Sequence, residues 1–216
     1  MQTIQVSVKA LKAASRVSAK YDIRYYLNSV YVEAAGNETV CVATDGHHLV
    51  AIRRQASNEV PEATSVIVPN EIVAMLTKGR KKKDAHMIDL VFQDGKWVAP
   101  LPTCGHIQFE GIEAKYPHWR GVTPKETSGV AGNYNTRLLK NLQDAASDLG
   151  ASGHYSVSMS QNGEGAALVT CNSLNDFDMV GIIMPYRDDS KGAKTAPVWA
   201  IAVAQEEEAK ETEAVA

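Results

Sequence analysis

Asp45, His47 and His48 lie close together in the stretch Val42-Ala43-Thr44-Asp45-Gly46-His47-His48-Leu49-Val50. A carboxylate beside two imidazoles could ligate a metal or serve an enzyme. The spacing argues against a shared ion. Adjacent residues on a strand point to opposite faces, so the two histidines cannot both reach one metal. Asp45-Gly46 is a turn signal between two apolar, strand-like runs, and the plainer reading is a solvated turn. No nucleophile elbow, phosphate loop or ligand cluster elsewhere in the sequence supports catalysis.

The elements around this turn follow a pattern that repeats. A strand at Thr3 to Val8 leads into a helix read as far as Lys20. Strands then follow at Arg24 to Ala34, Thr39 to Thr44 and His48 to Arg54, with turns at Gly36-Asn37 and Asp45-Gly46. The order returns with a strand at Ser65 to Val68 and a helix opened by Pro69-Asn70-Glu71. Three more strands follow, at Met87 to Gln93, Lys96 to Pro100 and His106 to Glu110. It returns again with a strand at Gly129 to Tyr134 and a helix from the cap Asn135 to Gly150. Strands at Tyr155 to Ser160, Ala166 to Asn172 and Met179 to Pro185 complete it. The reading is an α+β chain of three βαβββ units. Residues 1–58 and 63–122 form one two-unit domain, and 125–187 form a half domain. Residues 188–216 form a linker and a flexible acidic tail, in which Val198, Trp199 and Ile201 are the apolar exceptions.

Charge placement matters more than charge total. The net charge is -3, and the tail from Gln205 carries five glutamates against Lys210, so the body is near neutral. Bulk charge therefore does not predict nucleic-acid binding. Lys9, Lys12, Arg16 and Lys20, however, recur at helical spacing with no acid among them along the helix. Such a one-sign stripe suits phosphate contact, although a solvated helix face is the commoner case. Lys78, Arg80, Lys81, Lys82 and Lys83 form a second basic run after the second helix. Cys41, Cys104 and Cys171 are odd in number and far apart, which fits neither a disulfide framework nor a zinc site. With no signal-peptide pattern and no run of ~20 apolar residues, the expected setting is the reducing cytoplasm, with no cofactor and no membrane.

Four stretches in order give the chain a relative. They are Ile23-Arg24-Tyr25-Tyr26-Leu27-Asn28, the Asp45 stretch, Tyr116-Pro117-His118-Trp119-Arg120-Gly121-Val122-Thr123-Pro124, and Ile182-Ile183-Met184-Pro185-Tyr186-Arg187. Together they resemble the bacterial replicative sliding clamp, the beta subunit of DNA polymerase III, over about residues 4 to 187. The first two units are similar to the family's middle domain. The third resembles the second half of its C-terminal domain, so the resemblance covers about one and a half clamp domains.

The resemblance implies a fold, a partner and two sites. It implies the clamp fold and a DNA replication processivity factor of shortened, phage or mobile-element type. The Lys9 stripe would line a channel and touch double-stranded DNA through phosphates without reading sequence. A pocket for the clamp-binding motif of polymerases and clamp loaders would be built from Arg24, Leu27, Thr44, Gly46, His47, His48, Leu49, Pro117, Val122, Met184, Pro185, Tyr186 and Arg187. The family commonly has a basic residue where His48 and Gly121 stand. Family rings resemble twelve such units in a circle, so four three-unit chains joined head to tail would match them as a homo-tetramer. The competing readings are a decoy or regulator that binds the peptide without encircling DNA, and an enzyme built on Asp45, His47 and His48.

Overall fold

A computed structural model describes residues 2–80, 87–153 and 157–187, with Ala196, Pro197 and Ala200. Lys81, Lys82 and Lys83 and nearly all of the acidic tail, including Trp199, lie outside the described residues. Strand β1 (Gln2–Ser7) runs directly into helix α1 (Val8–Ser15). A 3-10 turn at Tyr25–Leu27 precedes β2 (Ser29–Ala35), β3 (Glu38–Thr44) and β4 (His48–Gln55). The second unit is β5 (Thr64–Pro69), α2 (Asn70–Thr77), β6 (Met87–Gln93), β7 (Lys96–Pro100) and β8 (His106–Phe109). A short helix α3 (Trp119–Val122) lies in the connection to α4 (Thr136–Leu149), β9 (Ser158–Ser160), β10 (Ala167–Thr170) and β11 (Asp178–Ile183).

The strands form two antiparallel sheets. One has the order β1-β6-β7-β8, and the other β5-β2-β3-β4-β11-β10-β9. The leading strands of the first two units are exchanged: β1 pairs with β6, and β5 with β2. Alternation places Val30, Val32 and Ala34 inward on β2 and Tyr31 and Glu33 outward. The inward side chains join Ile4, Leu11, Ile52, Leu76, Leu90 and Leu142 in one core beneath the helices. A second apolar cluster on the outer sheet face gathers Val42, Leu49, Tyr116 and Ile182. Fully burying one such aliphatic side chain is worth about 1.5–3 kcal/mol.

The third unit joins the first through β4 and β11, which pair from His48 opposite Ile183 to Arg53 opposite Asp178. Helix α1 lies between α2 and α4. Gly181 lets α4 sit close on β11, because a Cβ there would stand 2.8 Å from Leu142 Cδ1. Asn135 caps α4 by accepting from the Arg137 amide, and Gly150 ends it with φ 111°.

Several sequence expectations need correction. Gly129–Tyr134 is not a strand: the Gly129 amide donates to Gln161 O, and Val130 O accepts from the Gly163 amide. In the first two units the leading strand crosses to the sheet of the paired unit, and among the described residues the third unit has no such mate. Helix α1 stops at Ser15, where the Ser15 hydroxyl donates to Lys12 O and the Ser18 hydroxyl to Ser15 O. Such local bonds compete with the helical ladder. Lys20 therefore stands off the helix. The strand expected from Arg24 begins only at Ser29, because Tyr25–Leu27 curl into the 3-10 turn.

The stripe is also not free of acids. Asp148 of α4 pairs with Lys12 Nζ at 3.2 Å and Arg16 Nε at 2.8 Å, and its side chain is 2% exposed. This partner is remote in sequence, so helical spacing along α1 could not show it. Replacing Asp148 by Ala leaves two half-exposed cations that water can reach, and the expected loss is about 1–2 kcal/mol by denaturant melts. Reversing Lys12 and Arg16 to Glu places two carboxylates against a buried third. That double variant should lose more, about 3 kcal/mol or above.

Candidate functional site

The Asp45 stretch is the turn between β3 and β4 that the sequence suggests, but it is not simply solvated, because Thr44 and His48 are buried. The Thr44 hydroxyl donates to His48 O at 2.7 Å and accepts from the Gly46 amide at 3.0 Å. Asp45 Oδ1 accepts from the amides of His47 and His48 at 2.8 and 2.9 Å. The same oxygen lies 2.8 Å from His48 Nδ1. The two histidines point apart: His48 is buried, at 3% exposure, and His47 is exposed. Among the described residues no three His, Cys, Asp or Glu side chains group as metal ligands.

Gly46 has φ 91°, a left-handed conformation that suits glycine. A Cβ there would also stand 3.1 Å from Arg24 Nη2. Arg24 lies across the turn because Asp22 holds it, accepting from Nε at 3.0 Å and from Nη2 at 2.9 Å. This pairing lowers the Asp22 pKa to about 2.

Around the turn opens a cavity of about 350 Å³. It is lined by Arg24, Tyr26, Leu27, Thr44, Gly46, His47, His48, Leu49, Pro117, His118, Trp119, Val122, Ile182 and Met184. Leu27, Leu49 and Ile182 are its buried floor, while Val122 at 54% and Met184 at 47% exposure form an apolar rim. Trp119 is steadied by Arg120, whose guanidinium carbon sits 4.1 Å from the ring centroid while its nitrogens donate to Glu33. A second cavity of about 580 Å³ adjoins it, lined by His47, Tyr134, Asn135, Thr136, Leu138, Met184, Pro185 and Tyr186. His47 and Met184 line both cavities, and the Met184 amide donates to His47 O at 2.9 Å.

Ten of the thirteen expected pocket residues thus line the first cavity, and Pro185 and Tyr186 line the second. Arg187 lines neither; it stands beyond Tyr186 in a further depression with Gly132 and Glu164. The sequence reading missed Tyr26, His118, Trp119 and Ile182, all of which sit inside or beside the stretches it quoted. It also missed Tyr134, Asn135, Thr136 and Leu138 at the start of α4, where a helix cap gives no sign of a cavity wall. Lys9 and Lys12 are half-buried on α1, while Arg16, Lys20 and Lys78 are exposed, and Arg80 Nε donates to Leu76 O.

Comparison with known proteins now bears on this arrangement. The sequence profile of "DNA polymerase III beta subunit, central domain" matches residues 4–118. The chain belongs to that family. Among curated relatives, the beta sliding clamp of Escherichia coli strain K12 is 30% identical over 135 residues, covering 56% of this chain and 32% of the clamp. The beta sliding clamp of Vibrio cholerae is 31% identical over 112 residues, covering 51% of this chain and 29% of that one. The chain thus spans about a third of the length of the sliding clamps it matches. A crystal structure of the Pseudomonas aeruginosa sliding clamp with ligand aligns at a TM-score of 0.66 and 18% identity, over 86% of this chain and 66% of that one. The fold is accordingly that of the DNA polymerase sliding clamp. No described helix is long and apolar enough to cross a membrane.

The turn that carries the clamp signature is also acid-sensitive. Burial acts to raise the Asp45 pKa, but hydrogen bonds from the His48 ring and the His48 and His47 amides outweigh it, holding the value at about 2 against an ordinary 3.8. A depressed carboxylate pKa contributes stability above its unfolded value that is lost as pH falls through the folded one. Stability should therefore drop between about pH 4 and pH 2, and Asp45→Asn should remove part of that slope in urea melts taken across this window.

Proposed function

We propose that this chain is a clamp-fold replication factor whose two joined cavities hold a short clamp-binding-motif peptide of a polymerase or clamp loader. The convergence of Arg24, Leu27, Gly46 to Leu49, Pro117, Val122 and Met184 on one cavity is the observation that carries this reading. These residues come from four separate stretches of sequence, and together they make an apolar floor with a polar margin. Such a site anchors aliphatic or aromatic side chains and leaves the ends of a peptide in water. The reading is a binding one and not a catalytic one.

The DNA part of the proposal rests on fewer charges than the stripe suggested. Asp148 pairs with two of the four cations, which among the described residues leaves Lys9 and Lys20, with Lys78 and Arg80, to meet phosphates. This pairing favours the second reading, a module that binds clamp-motif peptides without encircling DNA. Self-association remains part of the first reading. Strand β8 ends one sheet and β9 the other, and among the described residues each carries a partner on one side only. An open edge accepts another strand.

A peptide of the Gln-x-x-Leu-Phe kind should bind the full chain in the micromolar range, about -8 kcal/mol, by titration calorimetry. Val122→Glu and Met184→Glu act on the exposed rim, so each should weaken binding at least tenfold while leaving the melting temperature in place. No binding by the folded wild type at high micromolar peptide would sink the peptide reading. On circular DNA, Lys9→Glu with Lys20→Glu should flatten the log–log salt dependence by about 1.8. A strictly monomeric mass and no salt-sensitive association with circular DNA would leave only the non-encircling reading.

A further inference from the structure

His48 carries a hydrogen-bond chain that crosses from the turn to α4. Its Nδ1 lies 2.8 Å from Asp45 Oδ1, and its Nε2 lies 3.3 Å from Asn141 Nδ2. The side chain is 2% exposed. Asn141 belongs to the third unit and Asp45 to the first, and neither lines either cavity. The partners point to one arrangement of protons. An ionised carboxylate can only accept, so Nδ1 carries the hydrogen. Nε2 faces Nδ2 of Asn141, which can only donate, and so accepts from it.

We infer that Asn141 is a positioning residue for the peptide site, acting through His48, whose Nδ1 donates to Asp45 and whose Nε2 accepts from the Asn141 amide. The inference rests on the peptide reading above for its consequence, but not for its geometry. His48 opens β4 opposite Ile183 of β11, one residue before Met184. His47, which lines both cavities, is the neighbour of His48 in the chain and accepts from the Met184 amide. Rotation of the His48 ring would therefore carry the turn with it and change the gap between His47 and Met184. Asp45 fixes the ring from one side only. The Asn141 amide supplies the second point, and with the bond to Cβ these two contacts fix the ring plane. Since Asn141 sits on α4, the third unit sets the shape of a cavity whose floor belongs mainly to the first.

The sequence alone could not show this. Asn141 lies ninety-three positions from His48 along the chain. A charged residue at position 48 would have to reach water. The buried His48 ring has a partner at both nitrogens.

Long-range proton–nitrogen NMR of the full chain reads the tautomer directly. The wild type should show His48 protonated at Nδ1 and bare at Nε2 near pH 7.5. Asn141→Ala should loosen this state, and Asp45→Asn, which replaces the obligate acceptor, should shift the population toward Nε2–H. Each variant should weaken binding of the Gln-x-x-Leu-Phe peptide by about fivefold, as expected for one lost hydrogen bond. Asn141→Gln keeps the amide and should recover more than half of that loss. His48 found as the Nε2–H tautomer in the wild type overturns the inference whatever the peptide does. So does an Asn141→Ala variant with wild-type peptide affinity. If the wild type binds no peptide while His48 is the Nδ1–H tautomer, the geometry stands and it is the peptide reading that fails.

Discussion

The pairing of β4 with β11 is the constraint on which the rest of the site depends. It brings Met184 and Pro185, which follow β11, to the turn that precedes β4. Without it the cavity would have one wall. The pairing is reinforced on both faces. Below the sheet, Gly181 admits α4 close enough for Leu142 to pack, and Asp148 reaches Lys12 and Arg16 on α1. Above it, Leu49 and Ile182 stand opposite each other and share a cluster with Tyr116. Strand pairing sets register to within a single residue, because a slip by one would turn every inward side chain outward. The frame of the cavity is therefore set by strand pairing, and side chains line it.

The same junction shows how a charge stripe can serve two ends. Along α1 alone, Lys12 and Arg16 look available to phosphate. Packed against α4, they neutralise a carboxylate that could not otherwise be buried. The cost of desolvating Asp148 is offset only while both cations stay near. Drawing Arg16 away from Asp148 would weaken the contact between α1 and α4.

Local features of the fold were legible in the sequence and long-range ones were not. Alternation along β2, the Asp45-Gly46 turn, the Asn135 cap and Gly150 each act over a few residues, and each could be read directly. The exchange of β1 and β5 pairs residues 80 to 90 positions apart for β1 with β6 and 30 to 40 apart for β5 with β2, and no local pattern encodes it. The Gly129 segment kept the composition of a strand, but a strand needs a neighbour. Ten cavity residues could be named in advance because short motifs marked them. Tyr134, Asn135, Thr136 and Leu138 could not, since they wall the second cavity only after α4 has docked. The Asp148 and Asn141 contacts belong to the same class, because they arise where two units meet.

The central claim is that one peptide occupies both cavities across the junction of the first and third units. Backbone amide shifts of the isotope-labelled chain, recorded while a clamp-motif peptide is added, test it most directly. The account predicts that the shifts concentrate at Gly46 to Leu49, Trp119 to Val122, Thr136 to Leu138 and Met184 to Tyr186. Shifts confined to a further depression lined by Tyr31, Glu33, Phe92 and Trp97, or to the first cavity with none at α4, would contradict it.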